Sequence, residues 1–244
     1  MGRHGTIAGR KAAQDSKRAA MFTKYAKAIT VAAKDGGDPE YNAGLRVAIE
    51  KAKAISMPND NITRAIKKGT GELGGASYEE LSFEGYGAGG VAVIVECLTD
   101  NNNRTASFIR STFDKYGGNL GTTGSVGFMF DERGVLVVER EPGSDEDEMM
   151  MIALDAGAED VKVEEEVYEI YTAPNDFSTV REALEKQGLT FLSAEVQKIP
   201  QNTVEVTDPD TILKIQKMLD LLEENDDVQN VYHNADLPEE EEED

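Results

Sequence analysis

Residues 10–34 contain no proline or glycine, and their apolar side chains keep a single helical period. Phe22, Ala26, Ile29 and Ala33 recur at i, i+4, i+7 and i+11, which places them on one face of a long α-helix. At about 100° per residue, Arg10, Lys17, Lys24, Lys27 and Lys34 gather on roughly the opposite side, and Lys11 and Arg18 flank the stripe. The stretch holds seven Lys/Arg against one acid, Asp15, in a protein of net charge -22. A helix of this length must bury its stripe against neighbours, so the first third of the chain is expected to be a helical unit.

The neighbours follow directly. Asp35-Gly36-Gly37-Asp38-Pro39 ends the first helix and starts a second, with Leu45, Ala48, Ile49 and Ala52 facing inward. Ser56-Met57-Pro58 interrupts it. A third helix carries Ile62, Ala65 and Ile66, with Arg64, Lys67 and Lys68 in its last turns, where positive charge suits the helix dipole. Gly69 ends it, and a glycine-rich stretch to Ser77 reads as a hinge linker. Residues 1–77 are therefore expected to form a three-helix domain with its linker, preceded by a Gly-rich arm from Gly2 to Gly9.

Charge divides the chain at the same place. Residues 1–75 hold 14 Lys/Arg and 7 Asp/Glu, a net of +7; residues 76–244 hold 11 and 40, a net of -29. A basic head on an acidic body suits contact with a polyanion through the head alone. The candidate phosphate-binding residues are Arg10, Lys11, Lys17, Arg18, Lys24 and Lys27, with Lys51, Lys53, Arg64, Lys67 and Lys68 as additions.

The body alternates strands and helices. A short strand near Leu81 and Phe83 leads through the glycine run Gly85–Gly90 to a strong strand, Val91 to Leu98. The run precedes a strand and joins no helix, so it reads as a hairpin turn and not as a dinucleotide loop. A helix from about Arg104 to Tyr116 follows, then a strand from Val126 to Phe130, a turn at Asp131–Gly134 and a strand from Val135 to Glu139. Residues 135–199 give the order β-α-β-β-α-β, that of a ferredoxin-like unit. A strand at Val204 to Val206, a helix capped by Asp208-Pro209 and a strand at Val228 to Tyr232 complete the middle domain. The expectation is an α+β protein: an N-terminal three-helix domain, a discontinuous α/β middle domain of residues 78–134 plus 200–234, and the ferredoxin-like α+β domain inserted at 135–199. Residues 235–244 read as a disordered acidic tail.

Catalytic and metal chemistry find no support. One cysteine, Cys97, excludes an internal disulfide and a cysteine-based zinc site. His4 and His233 lack neighbours at metal-ligand spacing. No phosphate-cradling P-loop or nucleophile elbow is present. The expectation is a non-enzyme with no cofactor, no small-molecule substrate and no membrane partner, in the cytoplasm.

Several stretches also carry a resemblance. Lys11-Ala12-Ala13-Gln14-Asp15-Ser16-Lys17-Arg18, Phe22-Thr23-Lys24, and Leu45 to Lys53 are similar to the YebC/PmpR family. So are Met57-Pro58-Asn59-Asp60-Asn61-Ile62, Glu84-Gly85-Tyr86-Gly87, Glu96 to Asn101 with Asn103-Arg104-Thr105, and Asp226 to Tyr232. The resemblance spans nearly the whole chain. It implies a cytoplasmic bacterial protein with a helical first domain and two α/β domains. It implies either a DNA-binding transcriptional regulator or a factor acting on translation. The family's mitochondrial translational activator of cytochrome oxidase and members linked to relief of ribosomes stalled on proline-rich stretches belong to the second kind. The implied partner is thus promoter DNA or ribosomal RNA. One departure stands out: the family opens Gly-His-Ser-Lys-Trp, whereas this chain reads Gly2-Arg3-His4-Gly5-Thr6 and has no tryptophan.

Overall fold

The computed structural model describes residues 7–74, 77–141 and 143–238, with side chains described from residue 20 onward. It is a mixed α+β structure. In chain order the elements begin with α1 (Ile7–Ala32), which runs into a 3₁₀ turn at Ala33–Asp35, then α2 (Ala43–Ala54) and α3 (Asn59–Gly69). Next come β1 (Glu79–Tyr86), β2 (Ala92–Thr99), α4 (Asn102–Lys115), β3 (Asn119–Leu120) and β4 (Phe130–Glu139). Then follow α5 (Glu146–Asp155), β5 (Asp160–Val163), β6 (Val167–Thr172), α6 (Phe177–Lys186) and β7 (Ser193–Pro200). The chain continues with β8 (Val204–Glu205), α7 (Pro209–Glu223), β9 (Val228–His233) and β10 (Ala235–Asp236). It divides into two compact units, residues 1–127 with 204–244, and residues 128–203.

In the first unit, α1 packs along both α2 and α3. Their shared core is Ile29, Ala33, Leu45, Ile49, Ala52, Met57, Ile62 and Ala65, which includes Ile29 and Ala33 of the apolar stripe read from the sequence, with the half-buried Phe22 and Ala26 packed against it. Asn42 caps α2 by accepting the Leu45 N–H at 2.9 Å, and its amide ties back to Ala32 O at 2.7 Å. Gly69 ends α3 as expected and has a second role. It is the last residue of α3, and a Cβ there would press on the Thr30 carbonyl and lie 2.7 Å from Ala33 Cβ. Glycine thus lets α3 approach α1 closely. The arm read as Gly2 to Gly9 is helical from Ile7; residues 1–6 lie outside the described residues.

The same unit holds a four-stranded sheet of order β3-β1-β2-β9, with antiparallel pairing throughout. The glycine run is the turn between β1 and β2: Gly87 N–H donates to Val91 O at 2.7 Å, and Gly89 and Gly90 take φ of 70° and 77°, which side-chain-bearing residues rarely adopt. α4 and α7 bury Ile109, Phe113, Ile215, Met218 and Leu222 against Val91, Val93, Val95 and Cys97. β10 pairs in parallel with β8, so Ala235 and Asp236 are ordered backbone and not the start of a disordered tail. Residues 239–244 of that tail lie outside the described residues.

The expected strand at Val126 to Phe130 is absent. The Glu84 carboxylate accepts the N–H groups of Gly124 at 2.9 Å, Val126 at 2.9 Å and Gly127 at 2.7 Å. Those amides therefore face a side chain and cannot build a strand ladder. Glu84 is 8% exposed, so its charge depends on these donors. Replacing Glu84 with Gln is expected to lower stability by about 2 kcal/mol, because a charge-assisted acceptor becomes a neutral amide that is itself half donor. Urea unfolding followed by circular dichroism measures the shift.

In the second unit the sheet order is β5-β6-β4-β7, again all antiparallel, covered by α5 and α6. The expected turn at Asp131–Gly134 is instead the middle of β4. Gly134 pairs with both Thr172 and Val196. A Cβ on it would collide with Thr172 Oγ1 and stand 2.7 Å from the Phe177 ring. This glycine marks a close approach within a strand, which its sequence neighbours disguise as a turn.

Candidate nucleic-acid interface

The helices of the head place its cations unequally. Lys34, Arg46, Lys53, Arg64 and Lys67 are exposed, and none has an ion pair among the described residues. On α3, Asp60, Arg64 and Lys67 follow i, i+4 and i+7 and so share one face; on α2, Arg46, Glu50 and Lys53 do the same. Lys53 and Lys67 lie in the last turns of their helices, where the unsatisfied carbonyl ends favour a cation. Lys24 and Lys51 are half-buried. Lys68 donates to Tyr78 Oη at 3.3 Å, with its ammonium 5.4 Å from the ring centroid. Arg10, Lys11, Lys17 and Arg18 lie on α1, but their side chains are outside the described residues.

Lys27 departs from the sequence reading. It is 8% exposed, and its ammonium donates to Asp227 Oδ1 at 2.6 Å and to Asp226 O at 2.9 Å. It is a structural ion-pair partner and not an open phosphate ligand. Asp227, itself 4% exposed, accepts from three side chains. Arg104 reaches its Oδ2 through Nη2 at 2.7 Å and Nε at 3.2 Å, and Thr105 Oγ1 does so at 2.9 Å. Arg104 also pairs with Asp100 at 2.9 Å. Burial works to raise the Asp227 pKa, but the hydrogen bonds from Lys27, Arg104 and Thr105 outweigh it and hold the carboxyl below its ordinary value. The cluster fastens α1 to the N-terminus of α4 and the start of β9.

This cluster unites stretches that carried the family resemblance separately: Asn103-Arg104-Thr105, the end of β2, and Asp226-Asp227-Val228. The side-chain chemistry alone hinted at it, since an Arg-Thr pair at a helix start and a double aspartate before a strand are both costly to bury unpaired. Their pairing across more than a hundred residues had no local signal.

Burial shifts two titratable groups of the same unit. Burial, followed by the charges of Asp227 and Glu96, pushes the Cys97 thiol up to about 12, the mark of a buried inert thiol. His233 is shifted below its ordinary value by burial, and its Nδ1 accepts the Ala235 N–H at 3.2 Å. Among the described residues, no group of three or more His, Cys, Asp or Glu could hold a metal ion. No helix among them is long and apolar enough to cross a membrane.

A mixed α+β architecture with an exposed lysine- and arginine-bearing head is the class the site's geometry defines. Comparison with known proteins narrows it. Residues 3–72 match the model of the TACO1/YebC protein N-terminal domain, and residues 78–235 match that of the TACO1/YebC second and third domain. The chain belongs to the TACO1/YebC family, the YebC/PmpR family of the sequence resemblance. It is 58% identical over 235 residues to a probable transcriptional regulatory protein of Clostridioides difficile, covering 96% of this chain and 98% of that one. It is 54% identical over 238 residues to a probable transcriptional regulatory protein of Thermoanaerobacter pseudethanolicus, covering 97% and 96%. A crystal structure of a conserved hypothetical protein from Aquifex aeolicus superposes with a TM-score of 0.83 at 45% identity, covering 94% of this chain and 95% of that one.

Proposed function

We propose that the protein is a non-enzymatic regulator of gene expression that binds nucleic acid through its helical head, in the first instance as a cytoplasmic DNA-binding transcriptional regulator. The observation that carries this reading is the set of cations on a +7 segment of a -22 chain that are exposed and have no ion pair among the described residues. Lys53, Arg64 and Lys67 are the central contacts, joined by Arg46 and Lys34. Arg10, Lys11, Lys17 and Arg18 extend them along the first half of α1, with Lys24, Lys51 and Lys68 at the margins. Lys27 is withdrawn from this set. Such side chains neutralise phosphates and position the protein on a backbone without reading bases. The names of the relatives support a regulatory role. In this reading the three helices, the β1–β2–β9 sheet and the second unit act as three domains, the last ferredoxin-like.

A second reading, a ribosome-associated translation factor gripping ribosomal RNA and relieving stalls on proline-rich stretches, is favoured by the same base-indifferent chemistry. RNA helices are recognised by shape and backbone. Sedimentation of cell lysate through sucrose at two salt concentrations separates the two. Co-migration with ribosomes at low salt, lost at high salt, supports the RNA reading. A protein that stays at the top of the gradient while shifting a promoter fragment with sequence preference supports the DNA reading. Absence of both removes the proposal.

A further inference from the structure

α5 departs from the pattern of a surface helix. Met149, Ile152, Ala153 and the following Ala156 pack against the core of the second unit. The outward side of such a helix is ordinarily polar. Here Met150, Met151 and Leu154 point outward, with exposures of 38%, 62% and 48%. Together with Asp147 they follow i, i+3, i+4 and i+7, so they form one face. The helix is therefore apolar on both sides, and the outer one is exposed among the described residues.

The surroundings are uniformly acidic. Glu146, Asp147, Glu148 and Asp155 are exposed and the helix has no basic residue. Glu146 is paired with Arg140. Asp147, Glu148 and Asp155 have no ion pair among the described residues. Residues 128–203 as a whole hold 6 Lys/Arg and 19 Asp/Glu, a net of -13.

We infer that this face of α5 docks a basic amphipathic helix of a partner protein, one with a leucine-type stripe bordered by lysine or arginine. Charge selects that occupant. A second copy meeting α5 through the same face would set carboxylates against their own kind, and nucleic acid or an anionic membrane would be repelled. The apolar trio supplies area to bury, as an amphipathic helix lying in a groove requires. Methionine suits the task because its unbranched thioether adapts to the partner's contours. The carboxylates steer the approach and fix the orientation. This surface lies on a different unit from the nucleic-acid-binding head and uses the opposite charge, so its operation does not depend on the head.

The test uses the full chain and a fluorescein-labelled 18-residue peptide with Leu at i, i+3, i+4 and i+7 and Lys elsewhere. Fluorescence anisotropy compares the protein with its Met150→Ser/Met151→Ser/Leu154→Ser variant. The methyl signals of the 8 methionines are followed by NMR in the unmodified protein. The expected result is binding weakened at least about tenfold in the variant, with the Met150 and Met151 methyls shifting first, and weak binding of a Lys/Ser peptide of equal charge. Equal binding of the Lys/Ser peptide, an unaltered affinity in the variant, or silent Met150 and Met151 methyls would each overturn the inference. So would self-association of the protein that the variant abolishes, which would assign the face to a second copy.

Discussion

Replacing Asp227 with alanine is expected to destabilise the first unit by about 3–5 kcal/mol, the cost of leaving a buried ammonium without its partner. Lys27 is 8% exposed, with its Nζ 2.6 Å from the carboxylate. Arg104 is half-exposed and loses less, since its outer nitrogen keeps Asp100. Thermal unfolding by circular dichroism reads the effect, and a Lys27→Met/Asp227→Leu double variant should recover a large part of the loss. The same cluster sets a pH dependence. The Asp227 carboxyl is held below its ordinary value of 3.8, so its contribution is fully present above about pH 4 and is lost as pH falls through the depressed native value. The Asp227→Ala variant should lack that part of the acid sensitivity.

The second large effect concerns binding. Reversing Lys53, Arg64 and Lys67 to Glu should weaken association with polynucleotide by at least about 100-fold at low salt. It should also flatten the dependence of log affinity on log salt by about 0.9 for each phosphate contact removed from duplex DNA. These side chains are exposed and carry no ion pair among the described residues, so the fold should persist, with a loss of only about 0.3–1 kcal/mol for each of Lys53 and Lys67 in their helices' last turns. By contrast, a Lys27 substitution should act through stability first. The contrast separates the two roles that one charge pattern merges.

That merger shows where the sequence was readable and where it was not. Helix positions followed from period and caps: Asp145 and Asp208 each accept N–H groups at a helix start, and the apolar stripes of α1, α2 and α7 lie in their cores, but the start expected at Asp38-Pro39 falls instead at Asn42, which caps α2. Those signals are local, and local chemistry is what a single sequence displays. Lys27 was misplaced because burial of a lysine depends on a carboxylate 200 residues away. The strand expected at Val126 fails for the same kind of reason: Glu84, some forty positions earlier, takes its amides. Gly134 was read as a turn because glycine breaks chains more often than it admits a neighbour, and the close approach that Gly69 permits at the end of α3 went unread. In both cases the deciding atom, on Phe177 or Thr30, comes from another element. The exposed members of the head were legible as charge. Which cations stay open could be decided only by packing.

Contact of the head's exposed cations with a phosphate backbone is the core of the proposed function. Its most direct test is the salt dependence of affinity of the full chain for a duplex DNA and for a structured RNA, measured by fluorescence anisotropy beside the Lys53→Glu/Arg64→Glu/Lys67→Glu variant. The account predicts a log–log slope of about -4 or steeper for at least one of the two polymers, reduced by roughly two to three in the variant. A slope near zero for both, or a slope and affinity unchanged in the variant, would contradict it.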